Sequence, residues 1–158
     1  MPEARSVNLH VDGGARGNPG PGAAGVVLTD QAGAVLHRAG YYLGRTTNNM
    51  AEYEALIRGL EAARACGAST VNVYSDSELL VRQMNGEYRV KSAHLQPLHQ
   101  RALRLCRQFE SCVVKHVRRD RNVGADRLVN RALDGRCDVG QVTPLPADRP
   151  AAREPKMN

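Results

Sequence analysis

Three short runs with strand patterning precede the first helical pattern in this chain, and that order constrains the fold more than any other feature. Val7, Leu9 and Val11 alternate with Asn8 and His10, as in a strand with one buried face. Ala24 to Leu28 reads as a second strand, and Ala34 to Leu43 as a third. Residues 13–22 hold five glycines and two prolines, a composition that marks a turn, and Asp30-Gln31-Ala32-Gly33 turns the chain again. Such short links join neighbouring strands into an antiparallel meander.

Helical spacing then takes over. Tyr53, Leu56, Ile57, Leu60 and Ala63 share one face, with Thr47 or Asn48 as the cap and Gly67 as the stop. Val71, Val73 and Tyr74 form a strand. Ser75-x-x-Glu78 fits a capping box for a short helix over 76–85, broken at Asn85-Gly86. Leu95, Leu98, Ala102, Leu105 and Phe109 stripe a further helix. Cys112 to Val117 reads as a fifth strand, and Ala125, Leu128, Val129, Ala132 and Leu133 line a last helix. This order predicts an α/β fold, a mixed sheet with helices packed on its faces. The 158 residues suit one domain with its own core. Beyond Val139 the patterning dissolves among prolines, alanines and arginines, so 1–138 is expected as the domain and 139–158 as a flexible tail.

No apolar run approaches the roughly 18 residues that cross a bilayer, and no apolar signal region follows Met1 to Arg5. A cytoplasmic protein with no membrane partner is expected, as a monomer. Cys66, Cys106, Cys112 and Cys137 contain no C-x-x-C pair, so free thiols are expected rather than zinc ligands or disulfides. The formal charge of +6 is uneven. Residues 1–81 carry six Lys and Arg against eight Asp and Glu, whereas 82–131 carry twelve against four. A basic second half suits a polyanion such as a phosphate backbone, and equally a solvated basic face.

Against that positive balance, four carboxylates stand at element edges. Asp12 follows the first strand, Glu52 lies near the start of the first helix, Asp76 ends a strand, and Asp126 opens the last helix. Each alone has an ordinary reading: a turn aspartate bonding its own backbone, or an acid favoured at a helix N-terminus. Together they can meet at one sheet edge. Such a cluster repels itself unless cations neutralise it, and all-oxygen ligands favour Mg²⁺ or Mn²⁺ over zinc. Two such ions, about 3.5–4 Å apart, can clamp a phosphodiester. The stretch Gly13 to Gly20 lets backbone approach a nucleic-acid strand closely, but lacks the lysine and helix entry of a P-loop. Asn18, Asn48 and Asn49 offer amides able to read ribose 2′-hydroxyls, with helix capping an equal role for Asn48.

The words VDGGARGNPGPGAAG, TTNNMAEYEALIRGLEAA, YSDSELLVRQMNG and HVRRDRNVGADRLVNRALD, spread over residues 5–138, resemble the type 1 ribonuclease H family. The resemblance implies the ribonuclease H-like fold, with a five-stranded mixed sheet flanked by helices. It implies hydrolysis of the RNA strand of an RNA–DNA hybrid with two Mg²⁺ ions, leaving 5′-phosphate and 3′-hydroxyl ends. Asp12, Glu52, Asp76 and Asp126 fall at the family's metal-ligand positions. By the same resemblance Asp12 bridges both ions, Glu52 and Asp126 complete one shell, and Asp76 holds the opposite side. Gly13, Asn18, Asn48 and Asn49 match hybrid-contacting positions, Arg45 and Thr47 a DNA-phosphate grip, and Gln83 a place near the RNA strand.

The chain departs from many members in two respects. Residues 85–91 replace a basic, tryptophan-bearing insertion, leaving hybrid affinity to Arg82, Arg89, Lys91 and the 118–121 cluster. No histidine lies between Arg118 and Asp126, where many members carry a mobile one, so Arg119 and Asn122 become candidates for an auxiliary role. His116 falls in a predicted strand. The rival readings are a related nuclease that also cuts double-stranded RNA, and a domain that binds hybrids without cutting them.

Overall fold

The computed structural model of the chain describes residues 5–141. Six strands form one mixed sheet in the order β5-β4-β1-β2-β3-β6. Strands β1 (Ser6–Ala15), β2 (Gly20–Asp30) and β3 (Val35–Thr46) make the expected antiparallel meander. Strands β4 (Thr70–Ser75) and β5 (Ser111–His116) add parallel beside β1. The helices are α1 (Asn48–Ala65), α2 (Glu78–Met84), α3 (Gln96–Cys106) and α4 (Val123–Gly135), and a single 3₁₀ turn, Arg119–Arg121, precedes α4. No helix among the described residues is long and apolar enough to cross a membrane.

The main core lies between α1 and one face of the sheet. Val7, Leu9, Val11, Val26 and Leu28 pack there with Leu56, Ile57, Leu60 and Ala63, all buried. Gly59 admits Leu9: a Cβ there would sit 2.8 Å from a Leu9 methyl carbon. On the other face Val129, Ala132 and Leu133 of α4 pack with Ala23. That helix comes unusually close, because a Cβ on Gly25 would lie 2.2 Å from the Ala125 carbonyl oxygen, and one on Gly40 2.5 Å from that of Leu128. Gly25 and Gly40 stand in register with Asp12 across the sheet, so this glycine track seats α4 beside the end of β1.

Several expected boundaries move. β1 continues through Ala15 and β2 starts at Gly20, so Gly13 and Gly14 are strand residues rather than turn. Thr47 caps α1, its Oγ1 accepting from the Met50 N–H at 3.2 Å. The short helix begins at Glu78 with Ser77 as cap; Ser75 is the buried last residue of β4, its Oγ accepting from the Ser77 N–H. The sheet has six strands, not five. β6 (Val139–Gln141) pairs with β3 through Ala39↔Gly140, so the expected tail loses its first three residues to the sheet. The remaining tail lies outside the described residues. Cys106 and Cys112 form a disulfide, not free thiols: the turn from α3 into β5 brings their Cα atoms to 5.5 Å, within bonding range. Cys66 and Cys137 are free.

Candidate active site

Asp12 and Asp76 come together because β1 and β4 run parallel. Val11 pairs with Ser75, so Asp12, still within β1, and Asp76, just past the end of β4, lie side by side. Ligand sites of α/β sheets form at this carboxyl edge. Gly13 brings in the third acid: a Cβ at this position would lie 2.3 Å from the Ala51 backbone, so only glycine lets α1 lean against the strand and present Glu52. The glycine track under α4 brings in the fourth, Asp126, in the first turn of that helix. Carboxylate oxygens of Asp12, Glu52 and Asp76 lie within 4.8 Å of one another. The Asp126 carboxyl stands close enough to Asp12 to raise its proton affinity.

The electrostatics record this crowding. Burial, then the charges of Asp76 and Asp126, push the Asp12 carboxyl up to about 8. Glu52 is held well above the ordinary carboxylate range by burial, Asp12 and Asp76, with Arg119 pulling the other way. Glu52 Oε1 is buried without a hydrogen-bond partner. An orphaned carboxylate oxygen facing two further carboxylates fits a hard divalent cation, which the acid oxygens would ligate. α1 and the end of β4 supply adjacent carboxylate oxygens, while α4 approaches Asp12 from the other face.

All four acids line one open groove of about 370 Å³, shared with Gly13, Asn48 and Arg119. Asn18 and Asn48 brace its wall. Asn18 Oδ1 accepts from the Asn48 N–H at 3.0 Å, and Asn48 Oδ1 from the Ala15 N–H at 2.8 Å. Their oxygens are thus committed to locking the β1–β2 turn onto α1, and their exposed amide NH₂ groups remain available to a ligand. Asn49 and Arg45 are exposed beside this wall, and Thr47 is spent on its cap.

Other expected residues fall elsewhere. Gln83 is buried at 5% exposure and accepts from the Tyr53 hydroxyl at 2.7 Å, so it belongs to the core rather than to a nucleic-acid groove. Arg82 is engaged by Glu78 at 2.9 Å and Glu87 at 2.8 Å. Asn122 lies beneath the surface, its Nδ2 donating to the Val11 carbonyl at 2.8 Å, and so ties α4 to β1 next to Asp12. His116 ends β5 with an exposed side chain. Two groove residues escaped the sequence reading. Asn130 stands one turn after Asp126 and donates to its carbonyl at 3.1 Å, a spacing of four that could have flagged it. Arg16 lines the groove and pairs with Asp134 at 2.7 Å, a contact across 118 positions with no local signal.

A family profile described as "Reverse transcriptase-like" matches residues 10–132. The "Bifunctional protein Rv2228c" of Mycobacterium tuberculosis is 41% identical over 150 residues, covering 94% of this chain but 41% of the relative. The chain thus spans about two-fifths of that protein. A "Ribonuclease H" of Syntrophus aciditrophicus is 35% identical over 150 residues, covering 85% of this chain and 84% of its own. Among solved structures, the N-terminal RNase H domain of Rv2228c superposes with a TM-score of 0.82 at 42% identity, covering 84% of this chain and 96% of that one. LC11-RNase H1, solved in complex with an RNA/DNA hybrid, gives 0.78 at 44%, covering 82% and 98%. With the acids converging at the edge where parallel strands end, and with these relatives matching along most of its length, the chain belongs to the type 1 ribonuclease H family.

Proposed function

We propose that this chain is an endonuclease that hydrolyses the RNA strand of RNA–DNA hybrids, leaving 5′-phosphate and 3′-hydroxyl ends. One observation carries the reading: three acids from β1, α1 and the end of β4 meet within 4.8 Å, and a fourth joins them through Asp12. The similarity to LC11-RNase H1, which has been seen on a hybrid, supports the substrate class.

Two Mg²⁺ ions, or Mn²⁺ in their place, would supply an activated water and neutralise charge on the leaving oxygen. Asp12 and Asp76 would hold these cations beside β1 and β4, with the orphaned Glu52 oxygen from α1 and Asp126 from α4 completing the ligand set. Arg119, at the groove rim beside Glu52, supplies positive charge to a phosphate backbone lying over the acids. The NH₂ groups of exposed Asn18 and Asn48, with exposed Asn49, would meet the ribose side, where a 2′-hydroxyl separates RNA from DNA. Arg45, exposed near the end of β3, would take a phosphate of the complementary strand.

The test is cleavage of an end-labelled RNA strand, annealed to DNA and separately to RNA, with Mg²⁺, with Mn²⁺ and with chelator. Metal-dependent cutting of the hybrid alone is expected. Equal cutting of both duplexes would move the substrate class toward double-stranded RNA, and binding of the hybrid without cutting under either metal would overturn the enzymatic reading.

A further inference from the structure

One buried residue bonds to three parts of the groove at once. Asn122 is 1% exposed and immediately precedes α4. Its side-chain Nδ2 donates to the carbonyl of Val11, the residue before Asp12, at 2.8 Å. Its own carbonyl accepts from the Asp126 N–H at 3.1 Å, closing the first turn of α4. Its N–H donates to the carbonyl of Arg119, at the groove rim, at 3.0 Å. Asn122 thus fixes Asp126 and Arg119 to each other, and both to the strand that carries Asp12.

The two sides of this tie are unequally held without it. Val11 lies inside the sheet, paired with Val26 on β2 and Ser75 on β4. The start of α4 follows an exposed turn, Arg119–Arg121, and has no side-chain cap. Cutting the Nδ2 bond therefore releases the start of α4 and leaves β1 in place. Stability alone does not account for the amide, because its Oδ1 is buried with no partner and an unmet buried acceptor costs free energy. What the side chain supplies is a fixed separation between Asp12 and Asp126. Groups that hold metal ligands in place in this way govern cation affinity without touching the cation.

We infer that Asn122 is a positioning residue for the metal site, acting through its bond to the Val11 carbonyl to hold Asp126 at its working distance from Asp12. The inference rests on the metal-dependent cleavage proposed above and adds the residue that sets the geometry of its α4 ligand.

The test is a double-mutant cycle on the full chain, combining Asn122→Ser with Asp126→Asn and read by calorimetric titration of Mn²⁺. Serine suits a helix start, so α4 can form, but its side chain is one bond too short to reach Val11. Asn122→Ser is expected to weaken Mn²⁺ binding about tenfold. In the Asp126→Asn background, where Asp12, Glu52 and Asp76 still offer a site, the serine should cost less than about twofold. The same loss in both backgrounds would mean a general structural role and overturn the inference, as would unchanged Mn²⁺ affinity in folded Asn122→Ser. A second measurement needs no variant. In the metal-free parent chain the buried Asn122 NH₂ should exchange hydrogen about tenfold or more slowly than that of exposed Asn130; equally rapid exchange would mean that the tie does not hold. Hybrid cleavage by the parent chain is followed in parallel. A parent that binds Mn²⁺ without cutting overturns the proposed activity, while the Mn²⁺ cycle still decides the role of Asn122.

Discussion

Strand β1 passes through two regions built on opposite terms. At Leu9 it enters a core in which every neighbour gains from burial: the side chain is wholly buried, Gly59 leaves room for it, and removal of a leucine-sized side chain from water is worth about 1.5–3 kcal/mol. Three residues on, at Asp12, the same strand buries a carboxyl among three others, and its proton is held up to about 8. The first region is complete as folded. The second leaves Glu52 Oε1 buried without a partner, and the core supplies the rigidity that keeps it assembled at a cost. The glycines show how the two connect, because Gly13 and Gly25 let α1 and α4, anchored in their cores, deliver Glu52 and Asp126 to the strand end.

A pair of substitutions separates the two regions most sharply. Asp12→Asn is expected to lower hybrid cleavage by about three orders of magnitude or more, while the metal-free melting temperature stays level or rises. Leu56→Ala, in the wholly buried core, is expected to do the reverse, losing about 2–5 kcal/mol of stability with little change in activity per folded molecule. Cleavage kinetics and thermal unfolding of the two variants check this crossing pattern. Gly25→Ala tests the link between regions. Its Cβ would drive α4 off the sheet, so a loss of about 1–3 kcal/mol should accompany at least a tenfold fall in cleavage as Asp126 withdraws.

A smaller effect follows from pH. Asp12 binds its proton more tightly folded than unfolded, where a carboxyl titrates near 4 (about its usual value). Between there and about 8 the folded state holds the extra proton, so metal-free stability should fall as pH rises through that window and level off above it. Glu52 adds to the same slope. Asp12→Asn or saturating Mg²⁺ should flatten the curve, as thermal unfolding across that range would show. The smallest change expected is in Thr47→Ala, about 1 kcal/mol of stability from the lost cap, readable by denaturant titration.

What the sequence revealed divides along the same line. Local signals carried well: the alternation at Val7 to Val11, the helical stripe through Leu56 and Leu60, and the turn at Asp30, where Oδ1 accepts from the Ala32 and Ala34 N–H groups. The four acids were legible because local patterning places each near a strand end or a helix start, although β1 runs on past Asp12 to Ala15. Long-range geometry was not. β6 is three residues long and stabilised by pairing with β3, which leaves no pattern of its own. Gln83 looked like a polar surface residue because its partner, the Tyr53 hydroxyl, lies 30 positions away. Gly25 and Gly40 read as ordinary strand residues until the carbonyls of Ala125 and Leu128 are placed over them. That Glu52 comes within 4.8 Å of Asp76 depends on which sheet face α1 takes, and spacing alone does not encode that.

The folded chain holds the Asp12 and Glu52 carboxyls above the ordinary carboxylate range in a crowded cluster that a divalent cation would relieve. Calorimetric titration of Mg²⁺ into the chain at about pH 7, repeated in buffers of different ionisation enthalpy, measures the protons displaced. Because Asp12 titrates near 8 with Glu52 also raised, binding should release roughly one proton or more per chain, and Asp12→Asn should release fewer. Binding with no proton release, or the same release from Asp12→Asn, would contradict it.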